Sequence, residues 1–271
     1  MQVGFVSLGM GAQPLSDVLD LAQHVGAEAL ELNGRVTVHR DLWKPPVNYA
    51  AIRDAFEEAE VTPVSLGGYS SLAQPTDEGL ERAVDEFVAY CERARQMGIP
   101  IVRAFTGDVV EGHTLEELYP RMVEGFKRIM QRIAGWGLTV GIENHGRLIN
   151  HGEHLHSLVH EVGSPHLGIT LDTGNFCWAG HSIETAHRFC ERLAALTVNV
   201  HVKDGKFLDG EWTLFPAGRG DIDLAGILKT LGKAGYEGPV LSEYEGESDF
   251  RISTLESVSY LRGLRDGLDR L

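Results

Sequence analysis

Short apolar or β-branched runs alternate with helically spaced segments from one end of this chain to the other, and that alternation restricts the fold more than any other feature. The runs fall near 2–7 (QVGFVS), 28–32 (EALEL), 61–66 (VTPVSL), 100–105 (PIVRAF), 139–144 (TVGIEN), 167–172 (LGITLD), 196–202 (LTVNVHV) and 238–243 (GPVLSE). Each is a continuous run, as expected for strands covered on both faces of a parallel sheet. Between them, Leu80, Val84, Phe87, Cys91 and Ala94 recur at steps of three or four. Leu118, Met122, Phe126, Met130 and Ile133 do the same, as do Leu255, Val258, Leu261, Leu264 and Leu268 near the end. That spacing gives each helix one apolar face. Gly98, Gly137, Gly163 and Gly235 are placed to stop helices, and Asp221 to cap one.

Strand–helix alternation implies parallel strands joined by right-handed crossovers. Eight such units in 271 residues point to closure into a (β/α)8 TIM barrel, a fold of about 250 residues. The competing fold is an open doubly wound sheet. It lacks support, since no GxGxxG follows the first strand and no GxxxxGK[ST] occurs. No linker or composition break divides the chain, so a single α/β barrel domain over 1–271 is expected.

Composition narrows the partners. A formal charge of −15 argues against a nucleic-acid backbone and leaves a small molecule as the expected ligand. No run approaches the roughly 18 apolar residues of a membrane span, and the opening MQVGFVSLGMGA has no basic n-region. Cys91, Cys177 and Cys190 form no CxxC motif and are odd in number, so reduced thiols and a cytoplasmic location are expected.

In a barrel, chemistry gathers where the strands end. The last four expected strands end in Ile142-Glu143-Asn144-His145, Leu171-Asp172-Thr173-Gly174-Asn175, His201-Val202-Lys203-Asp204 and Ser242-Glu243-Tyr244-Glu245. Positions 143, 172 and 201 are each 29 residues apart, about one strand–helix unit. Glu143, Asp172, His201 and Glu243 are therefore expected to converge. Three carboxylates meeting without a cation would repel one another and some would be forced neutral. Three oxygen donors and one imidazole suit one divalent ion, with Mn²⁺, Mg²⁺ or Co²⁺ ahead of zinc.

At these residues the chain resembles the xylose isomerase-like TIM-barrel superfamily, in particular its sugar phosphate isomerase/epimerase branch, which also contains endonuclease IV. The motif Gly218-Arg219-Gly220-Asp221 and the closing Gly235-Tyr236-Glu237-Gly238 add to the resemblance, which runs from the first strand to the last helix. It implies a single divalent ion on Glu143, Asp172, His201 and Glu243, with Glu143 and Glu243 also serving as the catalytic acid/base pair. Endonuclease IV needs further histidines. One of them would fall where Asn175 stands, and 205–220 contains none, so DNA repair is not expected. The family's ketose 3-epimerases often carry a histidine at that position too, which sets this chain apart from them.

The expected activity is therefore isomerisation or epimerisation of a keto-sugar by proton transfer through an enediolate. The alternatives are a lyase or dehydratase acting through the same site and a sugar-binding barrel without catalysis. His145, Asn175, Lys203, Arg219 and Tyr69 are the candidate substrate-binding residues. Phe176 and Trp178 are placed either as apolar walls or as core. The segments 33–48 and 203–220 are expected as long loops, available as lids or as contacts of a homo-oligomer.

Overall fold

The computed structural model describes residues 1–35, 39 and 43–268. Eight parallel strands close into a barrel in the order β1-β10-β7-β6-β5-β4-β3-β2. They are β1 (Val3–Val6), β2 (Ala29–Asn33), β3 (Thr62–Gly67), β4 (Ile101–Ala104), β5 (Thr139–Glu143), β6 (Leu167–Asp172), β7 (Thr197–Val202) and β10 (Val240–Ser242). Each expected run lies within two residues of an observed strand at both ends. The remaining pair, β8 (Asp204–Leu208) and β9 (Glu211–Phe215), is an antiparallel hairpin.

The period-two geometry of a strand explains how one run serves two environments. In β2, Leu30 and Leu32 join the main core with the outer helices, whereas Ala29 belongs to a small inner cluster with Val6, Val64 and Leu241. Above that apolar plug the same side of the strands turns polar: Glu31, Arg103, Glu143, Asp172, His201 and Glu243 are all at most 4% exposed. The barrel thus has a dry floor and an ionic mouth.

The outer layer consists of α1 (Leu15–Val25), α2 (Tyr49–Ala59), α3 (Asp77–Met97), α4 (Leu115–Arg132), α5 (Gly152–Val162), α7 (Ile183–Leu193), α8 (Leu224–Lys233) and α9 (Phe250–Leu268). The short α6 (Asn175–Trp178) follows β6. The expected apolar faces of α3 and α4 are buried. On α9, Val258 and Leu261 are buried but Leu255 is 38% exposed, so the stripe there is narrower than its spacing suggests. Gly98 and Gly163 end α3 and α5 in left-handed conformation. The cap of α8 is Asp223, whose carboxylate accepts from the Gly226 amide; Asp221, two residues earlier, instead faces Lys206.

Segment 203–220 differs from expectation because it holds the β8–β9 hairpin rather than an open loop. Within 33–48, positions 36–38 and 40–42 lie outside the described residues. His39 is buried and its ring contacts Ser7 Oγ and the Gln13 carbonyl, both at 2.9 Å. Cys91, Cys177 and Cys190 are buried and unbridged. Among the described residues no helix is long and apolar enough to cross a membrane.

Candidate active site

Adjacent strands β5, β6, β7 and β10 bring Glu143, Asp172, His201 and Glu243 together at the mouth. One donor atom from each lies within 4.8 Å of the others. His201 turns one ring nitrogen to both glutamates, with Nδ1 3.1 Å from Glu243 Oε2 and 3.6 Å from Glu143 Oε1.

The motif residues around these four act as struts. Asn144 accepts from the Asp172 amide (2.7 Å) and donates to the Asp172 carbonyl (2.9 Å), which locks the ends of β5 and β6 together. Thr173 Oγ1 bonds both the carbonyl and the amide of Lys203, joining β6 to β7. The turn after Asp172 folds back so that the Gly174 and Asn175 amides both donate to Asp172 Oδ1 at 2.8 Å. Asn175 donates through Nδ2 to Glu143 Oε1 (3.1 Å) and accepts from Lys203 Nζ on Oδ1 (3.2 Å). Lys203 is fully engaged, with Nζ 3.0 Å from Glu243, 3.4 Å from Asp172 and 2.7 Å from Glu245.

Two charged residues that the strand-end reading passed over complete the site. Glu31 on β2 receives Arg103 Nε (2.8 Å), Ser65 Oγ (2.6 Å), Asn199 Nδ2 (3.2 Å) and His201 Nε2 (2.9 Å). It therefore fixes the imidazole plane and leaves Nδ1 facing the carboxylates, an arrangement typical of histidines that ligate metals. Arg103 on β4 also donates to the Tyr69 hydroxyl (2.8 Å) and places Nη1 3.0 Å from Glu143 Oε2. The available signal was a charge enclosed by apolar neighbours within a strand run, Glu31 in ALEL and Arg103 in PIVRAF.

Burial opposes ionisation of every carboxyl here, yet neighbours decide each case differently. His201 and Arg103 hold Glu31 down at about 2. Arg103 lowers Glu143, and Lys203 with His201 draws Glu243 well below the usual range. For Asp172, burial together with the Glu243 and Glu143 charges prevails over Lys203 and pushes it up to about 7. Against the cost of burial, Glu31 and Glu243 raise His201 well above its ordinary value. Asp172 Oδ2 and Glu143 Oε2 are buried without a hydrogen bond, and such atoms are costly. Two carboxylate oxygens that have an ion-pair neighbour but no hydrogen bond, one further carboxylate and an imidazole nitrogen fit a single divalent cation.

Above the four lies a cavity of about 270 Å³ lined by His145, Asn175, Trp178, Lys203, Trp212 and Glu245 among others. Trp212 comes from the β8–β9 hairpin, so the segment read as a loop supplies a wall. His145 is half-buried between the rings of Phe105 (4.4 Å) and Trp178 (5.8 Å), and burial lowers its pKa. Tyr69 lines a neighbouring cavity, and its hydroxyl also accepts from Asn33 Nδ2 (2.6 Å). Phe176 is core, wholly buried against Phe189.

Arg219 is not brought in. It is 62% exposed and paired with Glu256 on α9 (2.7 Å). The Gly218–Gly220 turn has no amides to spare for an anion, because the Asp204 carboxylate takes Gly218 N and Gly220 N, both at 2.9 Å. A Cβ on Gly220 would stand 1.9 Å from Asp204 Oδ1, which is why this position carries glycine. The motif is a structural lock.

Comparison with known proteins agrees with this architecture. An inosose isomerase of Halalkalibacterium halodurans is 22% identical over 215 residues, covering 76% of this chain and 75% of the relative. A crystal structure of a D-tagatose 3-epimerase-like protein superposes with a TM-score of 0.82 at 19% identity, over 100% of this chain and 99% of the other. The IOLI protein, crystallised with a binding zinc atom, gives 0.77 at 18% identity over 98% and 96%. Likeness at these identities concerns the fold. The model of the xylose isomerase-like TIM barrel family matches residues 19–269, and the chain belongs to that family.

Proposed function

We propose that this chain is a divalent-metal-dependent isomerase or epimerase of keto-sugars or closely related cyclic polyhydroxy ketones. The observation that carries the reading is the placement of two buried glutamates, Glu143 and Glu243, at the same ring nitrogen of His201 in one cluster with Asp172. The isomerase relative supports the same class of reaction.

A cation held by Glu143, Asp172, His201 and Glu243 would supply Lewis-acid polarisation of a carbonyl and the hydroxyl beside it. One glutamate takes the proton from the carbon that bears the hydroxyl, leaving an enediolate, and the other returns a proton. Return to the opposite face of the same carbon inverts it; return to the neighbouring carbon, with the hydroxyl proton passing to the former carbonyl oxygen, moves the carbonyl. The face that the substrate presents decides which glutamate begins as the base. Asn175, bonded to Glu143 and Lys203 together, holds one carboxylate in aim. Trp178 and Trp212 shield the cavity with apolar surface, and His145, kept neutral by burial, offers a ring nitrogen to a substrate hydroxyl.

Incubation with a panel of ketoses and keto-acids in deuterated water tests this. Manganese-loaded protein is expected to place deuterium beside the carbonyl without losing any group, and Glu143→Gln to slow that exchange by at least about 100-fold. Release of water or of an aglycone would assign elimination instead. No exchange with any member of the panel would refute the proposal.

A further inference from the structure

The mouth holds a second cavity that the proposed chemistry does not use. It measures about 240 Å³ and is lined by Arg35, Tyr69, Ser71, Phe105, Asp108 and His145 among others. His145 also lines the 270 Å³ cavity over the cluster, so a single half-buried ring divides the two spaces. Each alone falls below the volume of a usual small-molecule site, about 300–1,000 Å³, whereas the pair lies inside that range.

The rings along this rim form a continuous arc. Tyr69 meets Phe105 at 5.4 Å, Phe105 meets His145 at 4.4 Å, and His145 stacks on Trp178 at 5.8 Å. The guanidinium of Arg35 lies over Tyr69, 3.9 Å from the ring centre, and has no carboxylate within ion-pair distance among the described residues. Stacking of this kind holds a guanidinium in place while leaving its donors available. Asp108 Oδ1 accepts the amides of Val109 (2.8 Å) and Arg147 (3.0 Å), which fixes the carboxylate while Oδ2 takes no hydrogen bond from the described residues. A rigid donor, a rigid acceptor, a hydroxyl and aromatic edges are the set that a sugar ring needs, with its rim of hydroxyls and its apolar C–H faces.

We propose that this second cavity is a subsite for another ring of the substrate, and that the preferred substrates are keto-glycosides, with the carbonyl on a ring carbon other than the anomeric one, rather than free monosaccharides. The reacting sugar lies over Asn175 and Lys203. Its substituent passes His145, and the second ring sits against Phe105 between Arg35 and Asp108. The assignment of which ring reacts rests on the proposed function, whereas the existence of the subsite does not.

Calorimetric titration of the manganese-loaded protein with glucose, cellobiose and phenyl β-glucoside tests the proposal without requiring turnover. The two-ring probes are expected to bind at least about tenfold more tightly than glucose, because the added ring contributes its own contacts. In Ser71→Trp, which fills the cavity, and in Arg35→Ala, whose exposed side chain has no part in the core, that ratio is expected to fall below about threefold. Equal affinity for one-ring and two-ring probes, absence of saturable binding by either two-ring probe, or a ratio unchanged in both variants would overturn the subsite. A two-ring preference without isotope exchange on any ketose would keep the subsite and overturn the proposed chemistry.

Discussion

On the β2–β4 side of the mouth, Glu31 is buried between Arg103 at 2.8 Å and His201 at 2.9 Å, and accepts from Ser65 and Asn199 besides. On the β5–β10 side, Glu143, Asp172 and Glu243 crowd around the other edge of the same imidazole. Lys203 is shared among Asp172, Glu243 and Glu245, and two carboxylate oxygens, Asp172 Oδ2 and Glu143 Oε2, have only a shared cation nearby and no hydrogen bond. The first half is electrically complete by itself and works as a brace. The second is short of positive charge, and a binding site needs that unmet demand. Burial alone does not make a carboxylate a ligand; what matters is whether its neighbours have already satisfied it.

The largest effect that would break this contrast is loss of the brace. Arg103→Met leaves Glu31 and Glu143 buried without their cation and is expected to destabilise the fold by about 3–5 kcal/mol. Urea midpoints measure this, and a loss near zero would show that the brace carries no strain. Next comes the link between the halves. Glu31→Gln is expected to weaken manganese binding by about 10- to 100-fold while leaving all four ligands in place. Calorimetry reads this directly, and unchanged affinity would mean that Glu31 does not orient His201.

A pH series sharpens the contrast further. Asp172, pushed up from 3.8 to about 7, binds a proton in the metal-free folded state that the unfolded chain releases above its ordinary pKa. The folded state holds the extra proton, so stability drains away as pH rises from about 4 through 7. Metal-free Asp172→Asn, which carries no charge, is therefore expected to melt a few degrees above the wild type at pH 8 and by less at pH 5. A gap that is constant across that range would contradict the crowding. The smallest effect belongs to Arg219→Ala, whose exposed ion pair is worth within about 0.5 kcal/mol. Turnover is expected to stay at the wild-type level, and a tenfold loss would return Arg219 to the substrate side.

The residues differ in how visible they are from sequence, for physical reasons. Glu143, Asp172 and His201 stand 29 residues apart, one strand–helix unit, and Glu243, 42 residues further on, joins them because it too ends an apolar run. Glu31 and Arg103 also sit on inward strand positions, but 31 and 103 share no repeat spacing with the others, and their meaning comes from a partner 170 and 72 residues away. Arg219 looked like part of the site because it follows a glycine in a motif; the carboxylate of Asp204, which consumes that turn's amides, could be seen only in three dimensions. The β8–β9 hairpin escaped because Asp209-Gly210 is a two-residue turn between runs of mixed polarity, which read as loop.

The central claim is that one divalent ion sits among Glu143, Asp172, His201 and Glu243. Titration of metal-free protein with Mn²⁺, followed by the paramagnetic resonance of the free ion, tests it most directly. The account predicts one bound ion per chain, with binding lost in His201→Ala and Glu243→Gln and kept in Arg219→Ala. Manganese that fails to bind, or binds as well to the His201 and Glu243 variants as to the wild type, would contradict it.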